Sequence, residues 1–303
     1  MYKEPIRHHY IPQFILRNFC FNDNNELYYY DKKTNETTIR NTRDVFMGKH
    51  LYRDELNYSN NPTQIESDLS RFENEISHII NVRFLNDEEI TLSFYEEERL
   101  RIFLAIMGFR SKNASNIFSE STNKRNKDFY SHFQSDGNLQ DLWKRNLGYI
   151  VKCKTVEEIL NHEKIDSPIK LFFQRDTIGL FGMHFSVVER KEDEDFVIGD
   201  AYPVIVNGIM DNGIQHHIYS IFPISPSRMI LLVSNGAEAT PRDVIYLRAG
   251  IFARPKIDCD NRLITIRVKG LCNDEVRHLN SMIVKHAQEG LAFKRIINFG
   301  NDT

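Results

Sequence analysis

An α+β fold is what this 303-residue sequence predicts. Two amphipathic segments with N-cap signals lie before residue 111, short β-rich runs dominate from about Phe172 onward, and one more amphipathic segment closes the chain. Helices that precede strands, instead of alternating with them, favour α+β over a doubly wound sheet. The expected architecture is a helical N-terminal half with a β-hairpin, followed by a mostly antiparallel sheet and a C-terminal helix.

Taken in order, Pro12 to Cys20 reads as a short helix or helical turn with Phe14 and Phe19 facing inward. Glu26 to Arg40, ELYYYDKKTNETTIR, reads as a β-hairpin: an aromatic strand, a polar turn at Asp31 to Asn35, then a Thr-rich return. Thr63 with Glu66, and Ser93 with Glu96, have capping-box spacing. Beyond Thr63 the residues Ile65, Leu69, Phe72, Ile76, Ile79 and Ile80 recur at helical spacing, and beyond Ser93 so do Leu100, Phe103, Leu104 and Met107. These two helices are expected to pack on each other.

Lys112 to Asn138 turns polar and Ser/Asn-rich, the pattern of a loop, an insertion or an exposed arm. HFSVVERK and FVIGD, separated by a charged turn at Glu192 to Asp195, predict a second hairpin. PVIV, RMILLVS and RLITIRV predict further strands. The last helix starts near Asp274, carries Val276, Leu279, Ile283 and Ala287 on one face, and has Gly290 where a C-cap belongs. Residues 1–303 read as a single domain, with 111–165 a helical or loop insertion or arm.

Composition narrows the class. With 41% hydrophobic and 27% charged residues, the chain is not expected to be disordered. The 39 basic and 42 acidic residues give a formal charge of −3, which offers no general electrostatic grip on nucleic acid but leaves room for a local basic patch. Cys20, Cys153, Cys259 and Cys272 lie far apart with no CxxC pair, so buried free thiols are expected and neither a structural zinc site nor a disulfide framework. The opening MYKEPIRHHYIPQF has no apolar run of the secretory kind, and the longest aliphatic stretch, Met229 to Val233, is far short of the ~20 residues a spanning helix needs. The expectation is a cytoplasmic protein with no membrane partner.

The densest group of chemically capable residues is Arg7-His8-His9-Tyr10-Ile11-Pro12-Gln13-Phe14. Adjacent histidines on an extended segment point in opposite directions, so one can face a site while the other does not. An imidazole there can bind a metal or move a proton; packing or a surface position near the terminus is the commoner account of such a pair. Glu66 and Glu73, seven apart, project from the same side of their helix. Glu66 has an account in its capping box. Glu73 has none, and it falls about 20° beyond Ile80 at the border of the apolar stripe. Arg110 suits a helix C-terminus and could be the cation that makes Glu73 tolerable there.

Arg99 and Arg101 read as solvated. Asp200, where FVIGD ends, is either a site carboxylate or a turn-forming Asx residue. Asn280 lies about 40° from Val276, inside the apolar face, as a structural clamp or part of a polar site. His216-His217 reads as surface, and Ser225 in PISP lacks a nucleophile-elbow context. There is no P-loop, GxGxxG or HExxH.

The opening HHYIPQFILRNF, the hairpin LYYYDK, IESDLSRFE, the helix ending in MGFR, GDAYPV, PISP before a hydrophobic strand, and VRHLNSMIVKHAQE resemble, in that order, the bacterial domain-of-unknown-function 4238 family. Where relatives tend to carry Ser-Asp-Asn-Pro, this chain reads Gly199-Asp200-Ala201-Tyr202-Pro203. The resemblance nominates His8, His9, Gln13, Arg17, Glu73, Arg110, Asp200 and Asn280 as the family-patterned polar positions. The family has no established activity, so the resemblance names positions and no reaction.

Two functions compete for these residues. In the first, His8 or His9, Glu73, Arg110 and Asp200 converge as a catalytic site, with Gln13, Arg17 and Asn280 binding. His9, Glu73 and Asp200 would then hold Mg²⁺ or Mn²⁺ for metal-assisted hydrolysis of a phosphodiester in nucleic acid or a nucleotide, while Arg110 stabilises developing negative charge. In the second, the protein is a non-catalytic binding or interaction protein in which the same residues form a buried structural network. A site should leave lone pairs facing an open pocket, and a network should leave them saturated and closed.

Overall fold

The structure is a computed structural model that describes residues 7–111, 139–167, 169–170, 183–209, 215–234, 247 and 249–296. Residues 112–138, the stretch read above as a loop or arm, lie outside the described residues. The architecture is α+β, and among the described residues every strand pairing is antiparallel except one.

Strand β1 (Arg7–His9) pairs with β4 (Met47–Lys49), and helix α1 (Gln13–Arg17) follows β1 directly. The hairpin forms as its sequence predicts. β2 (Glu26–Asp31) pairs with β3 (Glu36–Asn41), with Leu27 and Tyr29 buried and Asn35 at φ 57° closing the turn. Helix α2 (Gln64–Ile79) buries the whole expected stripe and runs into one π turn, Ile80–Phe84. After β5 (Glu89–Ser93), helix α3 (Phe94–Arg110) starts with the predicted Ser93–Glu96 capping box fully made. α2 and α3 pack on each other, with Phe72 edge-on to Phe103 and the Arg99 guanidinium over the Phe72 ring. Helix α4 (Leu139–Ile150) sets Trp143 fully inside the same core, and the short α5 (Val156–Asn161) follows.

The second half is strand-rich. β6 (Met183–Arg190), β8 (Val204–Ile209), β9 (Gln215–Pro223), β10 (Arg228–Ser234) and β13 (Lys269–Leu271) form one sheet in the order β13-β6-β10-β9-β8, with β13 parallel to β6. β11 (Lys256–Asp258) and β12 (Leu263–Arg267) continue onto β5. β10 explains why the sheet holds the molecule together. Its side chains alternate, so Ile230 and Leu232 enter the core shared with the helices, while Met229, Leu231 and Val233 enter a second core capped by α6 (Asn273–His286). Burial on both faces is why this strand reads as a continuous hydrophobic run.

Two local expectations are corrected. FVIGD does not form a hairpin with β6: its strand, β7 (Ile198–Gly199), pairs with β14 (Gly290–Phe293), which lies between β7 and β2. Gly290 is therefore not the C-cap of α6. Ala287 caps that helix, and Gly290 opens β14. A Cβ at Gly290 would lie 2.3 Å from the Tyr29 hydroxyl and 2.6 Å from the Tyr30 carbonyl, so the close approach of β2 demands glycine.

Among the described residues no helix is long and apolar enough to cross a membrane. Of the cysteines only Cys153 is buried; Cys20 is half-buried, and Cys259 and Cys272 are exposed, against the expectation of buried thiols.

Candidate functional site

β1, α1, the turn Thr42–Asp44 and one face of α2 enclose a cleft of about 540 Å³. The strand period decides which histidine enters it. His8 points into the core with no exposure, accepts a hydrogen bond from the Tyr52 backbone N–H at 2.8 Å and stacks on the Tyr52 ring. His9 points the other way and lines the cleft. Its Nε2 donates to the Thr42 carbonyl at 3.2 Å, which leaves the lone pair on Nδ1, and the Gln13 amide nitrogen lies 3.4 Å from both ring nitrogens. Burial, with help from Arg110 and Arg7, holds His9 below the ordinary imidazole range although the Thr42 carbonyl pulls the other way. Its neutral form is the favoured one.

Arg110, at the last residue of α3, is 1% exposed and is the fastener of the site. One Nη donates to Glu73 and the other to the His9 carbonyl. Its Nε donates to the Tyr52 hydroxyl at 3.2 Å, and that hydroxyl donates to the Arg110 carbonyl at 2.9 Å. Burial works against the charge on Arg110, but Tyr52, Glu73 and Glu66 together outweigh it and keep the guanidinium protonated.

Glu66 is the residue that sequence reasoning undervalued. The capping box assigned to it does not form: Thr63 makes no side-chain cap, and its hydroxyl donates to Asn61 instead. Released from that role, Glu66 lines the cleft with its Oε2 closed to solvent and without a hydrogen-bond partner. Burial raises its carboxyl from 4.5 to about 7; Arg110 lowers it and Glu73 adds to the rise. Its spacing of seven from Glu73, on the same helix face, was the signal that could have found it. Arg43 was missed as well, and Arg7, named in the N-terminal run, had been given no role: Arg7 pairs with Asp44, and with Arg17 and Arg43 it surrounds the cleft with exposed guanidiniums.

The cleft therefore gathers five of the nominated residues: His9, Gln13, Arg17, Glu73 and Arg110. The model of one family, described as Protein of unknown function (DUF4238), matches residues 7–297. This chain belongs to that family. The match begins at Arg7, so every residue of the cleft falls within the DUF4238 region. No curated protein and no solved structure matches the chain.

Three nominated residues of this DUF4238 chain do other work. His8 is in the core, as above. Asp200 does not line the cleft; its Oδ1 accepts the backbone N–H groups of Gln288 (2.9 Å) and Gly290 (3.3 Å), clamping the turn from α6 into β14. Burial pushes its carboxyl up, partly offset by those N–H groups. Asn280 donates to the Asp195 carbonyl at 2.8 Å and accepts from the Val197 N–H at 3.1 Å, so it is the clamp of the two readings considered. Among the described residues no three His, Cys, Asp or Glu side chains come together as a metal-binding group, and His9 and Glu73 are not joined by Asp200.

The arginines read as solvated are also corrected. Arg99 is 5% exposed, bonded to Glu75 and to the Cys153 carbonyl, and Arg101 pairs with Glu97 above the Phe185 ring. His217, read as surface, is half-buried with its Nε2 2.9 Å from the Ser220 hydroxyl; the His216 side chain lies outside the described residues.

Chemically, the cleft combines an unprotonated imidazole nitrogen, a carboxyl that holds its proton up to about pH 7, and four arginines against two glutamates. It is equipped to receive an anion and to move protons in both directions.

Proposed function

We propose that the cleft binds a phosphate ester, of a nucleotide or of nucleic acid, and cleaves it by paired proton transfer. Water attacks phosphorus as His9 Nδ1 takes its proton, and the bond to the leaving oxygen breaks as Glu66 protonates that oxygen. The exposed guanidiniums of Arg7, Arg17 and Arg43 hold the non-bridging oxygens. Arg110 positions the pair, since it fixes the His9 backbone and sits beside both glutamates. One observation carries this reading: a base lone pair and an unpartnered carboxyl oxygen belong to residues lining the same arginine-walled cleft. If Mg²⁺ or Mn²⁺ takes part, Glu66 and Glu73 are the carboxylates at hand.

A second reading rests on a different observation. All three faces of the Arg110 guanidinium are already engaged, by Glu73, the His9 carbonyl and Tyr52. On this reading the group is a structural network in a non-catalytic binding protein, joining the N-terminal segment to α2 and α3.

The deciding experiment follows hydrolysis of bis(4-nitrophenyl) phosphate by wild type, His9→Ala and Glu66→Gln, with and without EDTA, beside calorimetric titration of Mn²⁺. Turnover that both folded variants lose supports the acid–base site, and the EDTA arm reports whether a cation serves it. Folded wild type without turnover, together with inorganic phosphate that fails to bind, leaves the structural network as the account.

A further inference from the structure

Arg17 lines the candidate cleft and also a second one beside it, of about 620 Å³. α1 is the shared wall. Gln13 faces the first cleft, while Asn18 and Cys20, just past the end of the helix, line the second. The floor of the second cleft is the turn Ser225–Ser227, and Asn18 Nδ2 bonds the Ile224 carbonyl beside it at 2.9 Å, so wall and floor are tied together.

The second cleft is basic in its own right. Arg17, Arg190, Lys294 and Arg295 stand around one carboxylate, Asp195, which is nearly closed to solvent. Arg190 lies 3.0 Å from one Asp195 oxygen, and Arg295 engages both. That carboxylate organises the two guanidiniums and is the one acidic side chain among the lining residues, while Asp193 and Glu194 act on Arg295 from beside the cleft. A chain whose overall charge is −3 thus concentrates cations along two adjoining clefts.

We infer that the two clefts form one track for a single-stranded polynucleotide, with the phosphate to be cleaved in the first, a neighbouring nucleotide in the second, and Arg17 under the backbone between them. The inference rests on the first cleft being a phosphate site. Each cleft has the volume of a small-ligand pocket, so a lone nucleotide fills one and leaves the other's cations unused. Open clefts side by side suit a strand laid across them, and a basic groove beside a half-buried aromatic ring is how such strands are held; Phe14 supplies that ring in the first cleft.

The test is fluorescence anisotropy of the full chain with end-labelled RNA and DNA strands of roughly twelve nucleotides, across a salt series, with AMP and inorganic polyphosphate as competitors. The track requires a strand to bind at least about tenfold more tightly than AMP, and more tightly than polyphosphate. Lys294→Glu should weaken strand binding about tenfold and lower the salt slope by about 0.7 for each phosphate that is no longer neutralised. Lys33→Glu, on the exposed hairpin turn, should leave strand binding as it was. Equal affinity for strand and AMP, an unaffected Lys294→Glu variant, or polyphosphate binding as tightly as the strand overturns the track. If strands bind with the Lys294 dependence and no diester is cleaved, the reaction assigned to the first cleft falls and the track stands. If bis(4-nitrophenyl) phosphate is cleaved and strands show no preference, the reverse holds.

Discussion

Glu66 and Glu73 lie seven residues apart on one face of α2, yet only Glu73 receives the Arg110 guanidinium. The two carboxylates share a cleft and a helix face, and their partners differ. Glu73 is ion-paired. Glu66 keeps an oxygen with no partner and a proton up to about pH 7. A carboxyl that its surroundings keep protonated near neutral pH is what a general acid needs.

The first prediction concerns stability against pH. The Glu66 carboxyl is raised on folding, from 4.5 to about 7, so the folded state binds the extra proton between those values. Its contribution is fully present below about pH 4.5 and lost as pH rises through 7. Glu66→Gln removes that loss. The variant should be more stable than wild type at pH 8, by about 3 kcal/mol at most and nearer 1–2 after solvent screening, and equal to it at pH 4. Urea unfolding at both pH values reads this directly, and an equal gain at both would show that burial of an ionised Glu66 is not the cause.

Arg110→Ala should destabilise the fold by about 3–5 kcal/mol, because it strands Glu73, Glu66 and the His9 carbonyl around an uncompensated space. Arg110→Met with Glu73→Gln removes both charges and should recover part of that loss. A double-mutant cycle in urea measures the coupling. Additive effects would mean that the contact between Arg110 and Glu73 adds nothing beyond the two residues separately.

How much of this was legible beforehand depended on the range of the interactions. The stripe from Ile65 to Ile80, the Ser93–Glu96 cap and the alternation in ELYYYD are local signals, and the elements they specify are present. Glu73 beside Arg110 was also readable, since a carboxylate at the edge of an apolar stripe needs a cation. What failed was pairing over long separations. FVIGD has a local partner in β6 by pattern, but β14 supplies the hydrogen bonds. Arg99 has polar neighbours in sequence, but its partners are Glu75 and the Cys153 carbonyl. Glu66 was misassigned for the opposite reason: a local motif explained it, and the turn before α2 did not adopt the capping geometry.

Under the proposed reaction the rate should follow a bell against pH. His9 must be neutral, and its depressed range places the lower limb below the ordinary 6.5. Glu66 must be protonated, which places the upper limb near 7. Glu66→Gln should abolish turnover, and His9→Ala should lower it by about 10²–10⁴-fold. A kcat profile that keeps rising above pH 8 would remove Glu66 as the acid.

Asp200 separates structure from site. Asp200→Ala leaves the N–H groups of Gln288 and Gly290 without their acceptor and should cost about 1–3 kcal/mol. Asp200→Asn keeps Oδ1 and should be nearly neutral. Neither should change phosphate binding in a cleft that Asp200 does not line. Calorimetry with inorganic phosphate on the folded variants checks it, and a lost signal in Asp200→Asn would return this residue to the site.

Gly290 tests whether β14 lies against its antiparallel neighbour β2 as closely as the structure places it. Alanine there would set a methyl 2.3 Å from the Tyr29 hydroxyl and 2.6 Å from the Tyr30 carbonyl. The hydroxyl ends a side chain, but the carbonyl belongs to the β2 ladder and can move only with the strand. Gly290→Ala should therefore cost about 1–3 kcal/mol, and adding Tyr29→Phe should restore only part of it. The same strand opening carries the N–H that Asp200 accepts, so the damage should spread to that clamp and not to the cleft. Thermal unfolding gives the first quantity, and the imidazole resonances of His9 give the second. A large loss of stability with those resonances unmoved is the expected result. Full rescue by Tyr29→Phe would mean that only the hydroxyl, and not the β2 backbone, excludes a side chain at this position.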